Sequence, residues 1–281
     1  MLESVLALKE NQVPIYRFPE GTALVLSALR RRQRWLERPP GVEVEIKARA
    51  ADARAIVEEA ASRGESWMPA ADAFRLLDCY GIPTAPPHPI TTSGAVPAGL
   101  EFPVVLKASG EGIVHKTEIG AVRSGIDSAE ELESARSEMR SVLAEHGIDP
   151  GGVRFLAQRQ VPQGREVIFG LRTDVTFSPL LIFGLGGIHV EVLKDVACRN
   201  HPITDQDARE MVRSLRGQAI LDGVRGDPPA DYALLESILL RLNRLTGDLT
   251  ELIESLEVNP FIVHETGGAA VDCRVRLRRR S

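Results

Sequence analysis

The stretch Phe102-Pro-Val-Val-Leu-Lys-Ala-Ser-Gly-Glu-Gly-Ile-Val-His-Lys-Thr-Glu-Ile-Gly-Ala-Val122 decides how the rest of the chain is read. It opens with an apolar run that ends in a cation, Lys107, crosses a polar, glycine-containing loop from Ser109 to Gly120, and returns as a second run, Ala121–Ile126. A lysine at the end of a buried strand is costly unless an anion meets it at the strand's mouth. A loop of small and polar residues can lay backbone N–H groups over phosphate oxygens. Together they predict a strand, a loop and a returning strand that hold an anion.

Working outward, Asp127-Ser128 ahead of Glu131 predicts a capped helix that stops at Gly147. Val153–Val161, Glu166–Leu171, Pro179–Phe183 and Val190–Leu193 read as strands, with helices near Asp205–Leu215 and Ala230–Arg244, and Glu254–Val258 and Ala269–Leu277 closing the chain as strands. Runs of strands with irregularly interleaved helices favour α+β lobes over a single doubly wound sheet. Upstream, helices are expected at Glu43–Arg63, as a link, and at Pro69–Tyr80. Before them, Val13–Phe18 reads as a strand feeding through Pro19 into a helix, Glu20–Glu37. One strand and one helix cannot bury both faces, so residues 1–38 read as the last unit of an α/β domain whose remainder lies elsewhere.

The 281 residues suggest about two domains at roughly 150 residues each. With 43% hydrophobic and 26% charged residues the chain can bury a real core. Its 34 basic and 39 acidic side chains leave a net charge of −5, which argues against a nucleic-acid partner, since phosphate contacts need clustered Lys and Arg. No basic segment followed by an apolar run and a cleavage site opens the chain, and the most apolar stretch, from Pro179 to Val192, is short and broken by glycines. A cytoplasmic protein with no membrane span is the expectation. Cys79, Cys198 and Cys273 are far apart and follow neither a disulfide framework nor a zinc spacing.

The common phosphate-binding strings, G-x-x-x-x-G-K-[ST] and G-x-G-x-x-G, are absent, and Gly184-Leu-Gly-Gly has the wrong spacing for the second. Towards the C-terminus, Glu257-Val-Asn-Pro260 reads as lying just after a strand, and Val271-Asp272 as lying in the next one. If those strands are antiparallel neighbours, Glu257, Asn259 and Asp272 stand side by side as hard oxygen donors suited to Mg²⁺ bridging nucleotide phosphates.

Read together, Phe102-Pro-Val-Val-Leu-Lys-Ala, Ile113-Val-His-Lys-Thr-Glu-Ile-Gly-Ala-Val, Gln158-Arg-Gln-Val, Gly164-Arg-Glu-Val-Ile-Phe-Gly, Phe183-Gly-Leu-Gly-Gly-Ile-His-Val-Glu and Glu257-Val-Asn-Pro with Val271-Asp272 resemble the ATP-grasp domain of the NDP-forming acyl-CoA synthetases, in the succinyl-CoA synthetase superfamily. The resemblance runs from about Ser66 to Arg276. It implies a two-lobed ATP-grasp fold, with lobes at 66–157 and 158–281, a linker helix at 41–65, and at 1–40 a βα remnant of a flavodoxin-like succinyl-CoA-ligase domain. It further implies ATP/ADP and Mg²⁺ as cofactors, and coenzyme A bound through a partner domain. By position, Lys107 contacts phosphates, the hinge Gln158, Gln160 and Val161 meets adenine, and Glu166 and Arg199 are further nucleotide contacts. Asn259 and Asp272, with Glu257, hold the metal, and His115 carries a phosphoryl group. Imidazole suits that task, being nucleophilic near neutrality.

Each signal has a plainer reading. His115 taken alone is a hydrogen-bonded loop histidine, Lys107 a snorkelling strand end, Asn259 the start of a turn and Asp272 an edge charge. At the level of function the resemblance implies an acid–thiol ligase component that needs an α-type partner carrying coenzyme A and a small carboxylic acid. The other reading is a non-catalytic nucleotide-sensing or assembly module from a shortened synthetase.

Overall fold

The computed structural model describes residues 6–8, 10–90, 96–97, 99–109, 120–149, 151–173, 178–187, 195–224 and 226–278. They divide into two compact units, Met1–Gly41 and Val42–Ser281. In the first, helix α1 (Pro19–Glu37) starts on a proline and has no buried residue. The strand expected at residues 13–18 does not form. A strand persists only as a member of a sheet, and no described segment of this unit pairs with it.

The second unit holds two antiparallel sheets. The smaller has the order β1 (Pro87–Ile90), β4 (Arg154–Arg159), β2 (Val104–Ser109), β3 (Val122–Ile126). Its buried face, Val104, Leu106, Ala108, Phe155 and Ala157, packs against Leu132, Ala135, Met139 and Leu143 of helix α4 (Ala129–Glu145). That helix begins where the sequence indicates, since Ser128 Oγ accepts from Glu131 N at 3.2 Å and Glu131 Oε2 accepts from Asp127 N at 2.9 Å.

The larger sheet has the order β10 (Cys273–Leu277), β8 (Ile253–Val263), β5 (Arg165–Arg172), β6 (Leu180–Leu185), β7 (Val196–Asn200), with β9 (Gly268–Ala270) also paired to β8. Strand β10 alternates buried Cys273, Val275 and Leu277 with exposed Arg274 and Arg276, so one sheet face is core and the other carries charge. Helix α7 (Tyr232–Leu249) lays Leu235, Ile238, Leu239, Leu242, Leu245 and Leu249 on the core face, a helical period. Helices α2 (Ala50–Ser62), α3 (Ala70–Cys79) and α5 (Asp205–Arg213) share that core. At its centre Phe169 meets Phe183 with ring centroids 5.2 Å apart and Phe261 edge-on at 5.5 Å.

Several local features depart from the expected ones. Residues 42–49 are not helical; their backbone is engaged elsewhere, Val42 exchanging bonds with Asp205 at the start of α5 and Arg49 N donating to Cys79 O at 2.9 Å. The expected strand Ala269–Leu277 is split at residues 271–272 into β9 and β10. Strand β7 and the short helix α6 (Gln218–Asp222) were not expected, and Val190–Leu193 lies outside the described residues. Asp195, a buried carboxylate, accepts from Arg216 N at 3.0 Å and Gly217 N at 2.7 Å, tying the segment just ahead of α6 to the end of the glycine loop. Gly184 and Gly186 allow close packing: a Cβ on Gly186 would stand 2.8 Å from the Glu166 carbonyl carbon, where Gly186 N donates to Glu166 O at 2.7 Å. Among the described residues no helix is long and apolar enough to cross a membrane.

Two chain crossings join the sheets. Residues 160–164 run from β4 to β5, and residues 83–85 pair with β9 (Ala85 N to Ala270 O, 3.0 Å) before the chain enters β1. Phe169 is fully buried in the aromatic cluster, so Phe169→Ala should cost about 3–5 kcal/mol in urea unfolding, and a loss under about 1 kcal/mol would show that this cluster does not anchor the larger sheet.

Candidate functional site

Lys107 lies one residue before the buried Ala108 on β2, and its partly buried side chain crosses to the other sheet, where Nζ donates to the Val271 carbonyl at 3.1 Å. Gln158, on the neighbouring strand β4, is only 2% exposed, and its Nε2 donates to the same Val271 oxygen at 3.1 Å and to Ala85 O. Two side chains of the smaller sheet thus end on one carbonyl of the larger. The next residue is Asp272.

Around that turn the backbone holds β8 against the 271–272 segment, with Asn259 N donating to Asp272 O at 3.2 Å and Val271 N to Pro260 O at 3.1 Å. Glu257, Asn259, Asp272 and Arg274 line a cavity of about 140 Å³. Asn259 Nδ2 donates to Glu257 Oε1 at 3.0 Å, which leaves the amide oxygen as the atom free to face a cation. Among the described residues no three His, Cys, Asp or Glu side chains gather as a metal-binding group. The set here is two carboxylates completed by an amide oxygen, hard donors that fit Mg²⁺ with the remaining positions left to water and phosphate. Burial pushes the Cys273 thiol far above its ordinary range, and the charges of Asp272 and Glu257 push the same way. Buried in the core, that thiol packs rather than acts as a nucleophile at neutral pH.

The other expected residues are placed differently. Gln160 and Val161 lie at the start of the 160–164 crossing, and the Gln160 side chain is occupied, its Oε1 accepting from Gly125 N at 2.6 Å. Glu166 is exposed beneath the glycine run of residues 184–187. Arg199 sits on β7, at the opposite edge of the sheet from β10, and pairs with Glu210 at 3.6 Å. It is not brought together with Glu257, Asn259 and Asp272. His115 lies outside the described residues. Reading the sequence missed Arg274 and Trp67, the latter half exposed and lining three adjoining cavities. The alternation of Cys273-Arg-Val-Arg-Leu was the available signal for Arg274.

Residues 59–277 match the profile of the ATP-grasp domain. The chain belongs to the ATP-grasp family. Within that family it is 35% identical over 233 residues to the β subunit of acetate–CoA ligase (ADP-forming) II of Pyrococcus furiosus, a match covering 81% of this chain and 98% of that subunit. It is 32% identical over 279 residues to acetate–CoA ligase (ADP-forming) I of Archaeoglobus fulgidus, covering 98% of this chain but 40% of that enzyme. This ATP-grasp chain therefore spans about two fifths of the longer relative's length. A solved relative, the dinucleotide forming acetyl-coenzyme A synthetase 1 of Ca. Korarchaeum cryptofilum, superposes with a TM-score of 0.70 at 31% identity, covering 80% of this chain and all of that one. It holds coenzyme A and Mg-AMPPCP, with its phosphohistidine segment pointing towards the nucleotide binding site.

In this ATP-grasp chain the Gln158 amide is the buried tie between the sheets. Gln158→Leu removes the side-chain donor to the Ala85 carbonyl and leaves the Val271 carbonyl to Lys107 alone, and should cost about 1–3 kcal/mol in urea unfolding; an unchanged midpoint would mean that the tie carries no stability.

Proposed function

We propose that the chain is the ATP-grasp component of an ADP-forming acyl-CoA synthetase, moving a phosphoryl group between ATP/ADP and His115. The observation that carries this reading is the convergence of Lys107, Glu257, Asn259 and Asp272 on the Val271–Asp272 turn within an ATP-grasp chain. Lys107 is proposed to leave the Val271 carbonyl for phosphate oxygens, whose charge is the better partner for an ammonium. Glu257, Asn259 and Asp272 would hold Mg²⁺, which when bound draws charge from the phosphate oxygens as a Lewis acid. Gln160 and Val161, on the crossing between the sheets, are proposed to meet adenine through their backbone, with Glu166, near the start of β5, as a further nucleotide contact. Arg199, fixed by Glu210 on the far edge, is given no role in this reading.

In the forward step a nitrogen of the His115 imidazole attacks the terminal phosphorus of ATP. An N–P bond forms, the bond to the bridging oxygen breaks, and ADP departs with that electron pair. ADP receives the group in reverse, so energy stored in an acyl-CoA thioester reaches ATP. Coenzyme A and the small carboxylic acid are assigned to an α-type partner subunit or domain, as the name of the Pyrococcus β subunit suggests for that enzyme.

Purified chain incubated with Mg²⁺ and ATP labelled on its terminal phosphate tests this directly. Acid-labile protein-bound label is expected in wild type, absent in His115→Ala, abolished by EDTA, and formed at least about tenfold more slowly in Asp272→Asn. A wild-type chain that binds ATP by calorimetry yet takes up no label would refute the carrier role and leave the nucleotide-sensing reading.

A further inference from the structure

Four side chains line the 140 Å³ cavity, and three of them are the proposed metal ligands. The fourth is Arg274. Across the β8–β10 ladder Arg274 stands opposite Glu257, and one rung along Asn259 is tied to Asp272 through its backbone N–H. Directly opposed residues on antiparallel strands share a face, with Cβ atoms about 4.5–5.5 Å apart. An acid and an arginine at that spacing ordinarily pair.

Here they do not. Among the described residues no ion pair within 4.0 Å joins Arg274 to Glu257 or Asp272, and Glu257 takes the Asn259 amide instead. The next arginine on the same face behaves in the ordinary way: Arg276 pairs with Glu254 at 3.2 Å and lies 5.8 Å over the Trp67 ring. Arg274 is also shared by three cavities, the small one above and two of about 340 Å³ beside it. A charged, exposed fork at such a junction, not ion-paired with the Glu257 that stands across from it, is set to receive an anion from the cleft.

We propose that Arg274 binds the terminal, transferable phosphoryl group of the nucleotide, which makes it the residue that tells ATP from ADP. This deepens the nucleotide-site reading above and rests on it. The placement supports the assignment: Arg274 lines the same 140 Å³ cavity as Glu257, Asn259 and Asp272, beside the proposed metal, where the charge of a terminal phosphoryl group would gather. The guanidinium fork matches two phosphoryl oxygens at once, and its charge offsets the anion that two carboxylates in the same cavity would otherwise repel. If Arg274 served only to balance those carboxylates, its removal would change ATP and ADP binding alike.

Calorimetry with Mg-ADP and with the magnesium complex of a non-hydrolysable ATP analogue separates the cases in wild type, Arg274→Gln, Arg274→Lys and Asp272→Asn. The proposal expects Arg274→Gln to weaken the triphosphate analogue about tenfold or more while Mg-ADP changes less than about twofold, with Arg274→Lys recovering part of the loss. An equal effect on both ligands, or none on either, overturns it. Asp272→Asn should weaken both ligands; if it does and Arg274→Gln matches wild type, the nucleotide site stands and the Arg274 assignment falls. Failure of the wild type to bind either ligand sinks the site and the assignment together. Because Arg274 is exposed, an unchanged melting temperature confirms that Arg274→Gln is folded.

Discussion

The carbonyl oxygen of Val271 accepts hydrogen bonds from Lys107 and from the buried Gln158, both on the smaller sheet, while Val271 itself belongs to the turn that splits β9 from β10 in the larger. Everything proposed for this molecule depends on that junction. It brings Lys107, from within β2, to the residue before Asp272, and the adjacent backbone bonds, Asn259 N to Asp272 O and Val271 N to Pro260 O, set Glu257 and Asn259 beside that turn. Phosphate oxygens at this junction would be stronger acceptors for the Lys107 ammonium than the Val271 carbonyl it meets here.

The same constraint explains why the chain needs two sheets. The smaller sheet is built on a core of its own, closed by helix α4, and it meets the larger through the Val271 tie, the Ala85–Ala270 pairing and the 160–164 crossing. Binding groups carried on separate cores can approach or withdraw without disturbing either interior. The larger core, with its aromatic cluster and the six leucine and isoleucine positions of α7, is the rigid base that carries the carboxylates on its uncovered face.

How much of this could be read from the sequence follows from how local each feature is. Lys107 at the end of an apolar run, the Ser128 cap and the Glu257-Val-Asn-Pro string are written within a few residues, and they pointed to the elements and to the oxygen donors that the structure brings together. Features set by distant partners were not legible. Helices α2 and α3 precede the smaller sheet in the chain yet contribute Ala53, Ile56, Val57, Phe74 and Leu77 to the larger core, because residues 66–68 pair with β10 two hundred residues later, as in Met68 N to Val275 O at 2.9 Å. Strand Val13–Phe18 failed for the complementary reason, having β-like residues but no strand to pair with among the described residues. Arg199, a nucleotide candidate in the string, lies on the strand at the other edge of the sheet from β10 and 3.6 Å from Glu210, a placement that depends on distant pairing. The alternation of Cys273-Arg-Val-Arg-Leu puts Arg274 and Arg276 on one face, but only the register opposite Glu257 separates the two.

The central claim is that the Val271–Asp272 turn is the mouth of a magnesium–nucleotide site. A crystal structure grown with Mg²⁺ and a non-hydrolysable ATP analogue tests it most directly. The account predicts an ion coordinated at about 2.0–2.1 Å by oxygens drawn from Glu257, Asn259 and Asp272, with Lys107 Nζ moved from the Val271 carbonyl to a phosphate oxygen. A nucleotide bound elsewhere, or one bound while Lys107 stays on Val271 and no metal meets those three side chains, would contradict it.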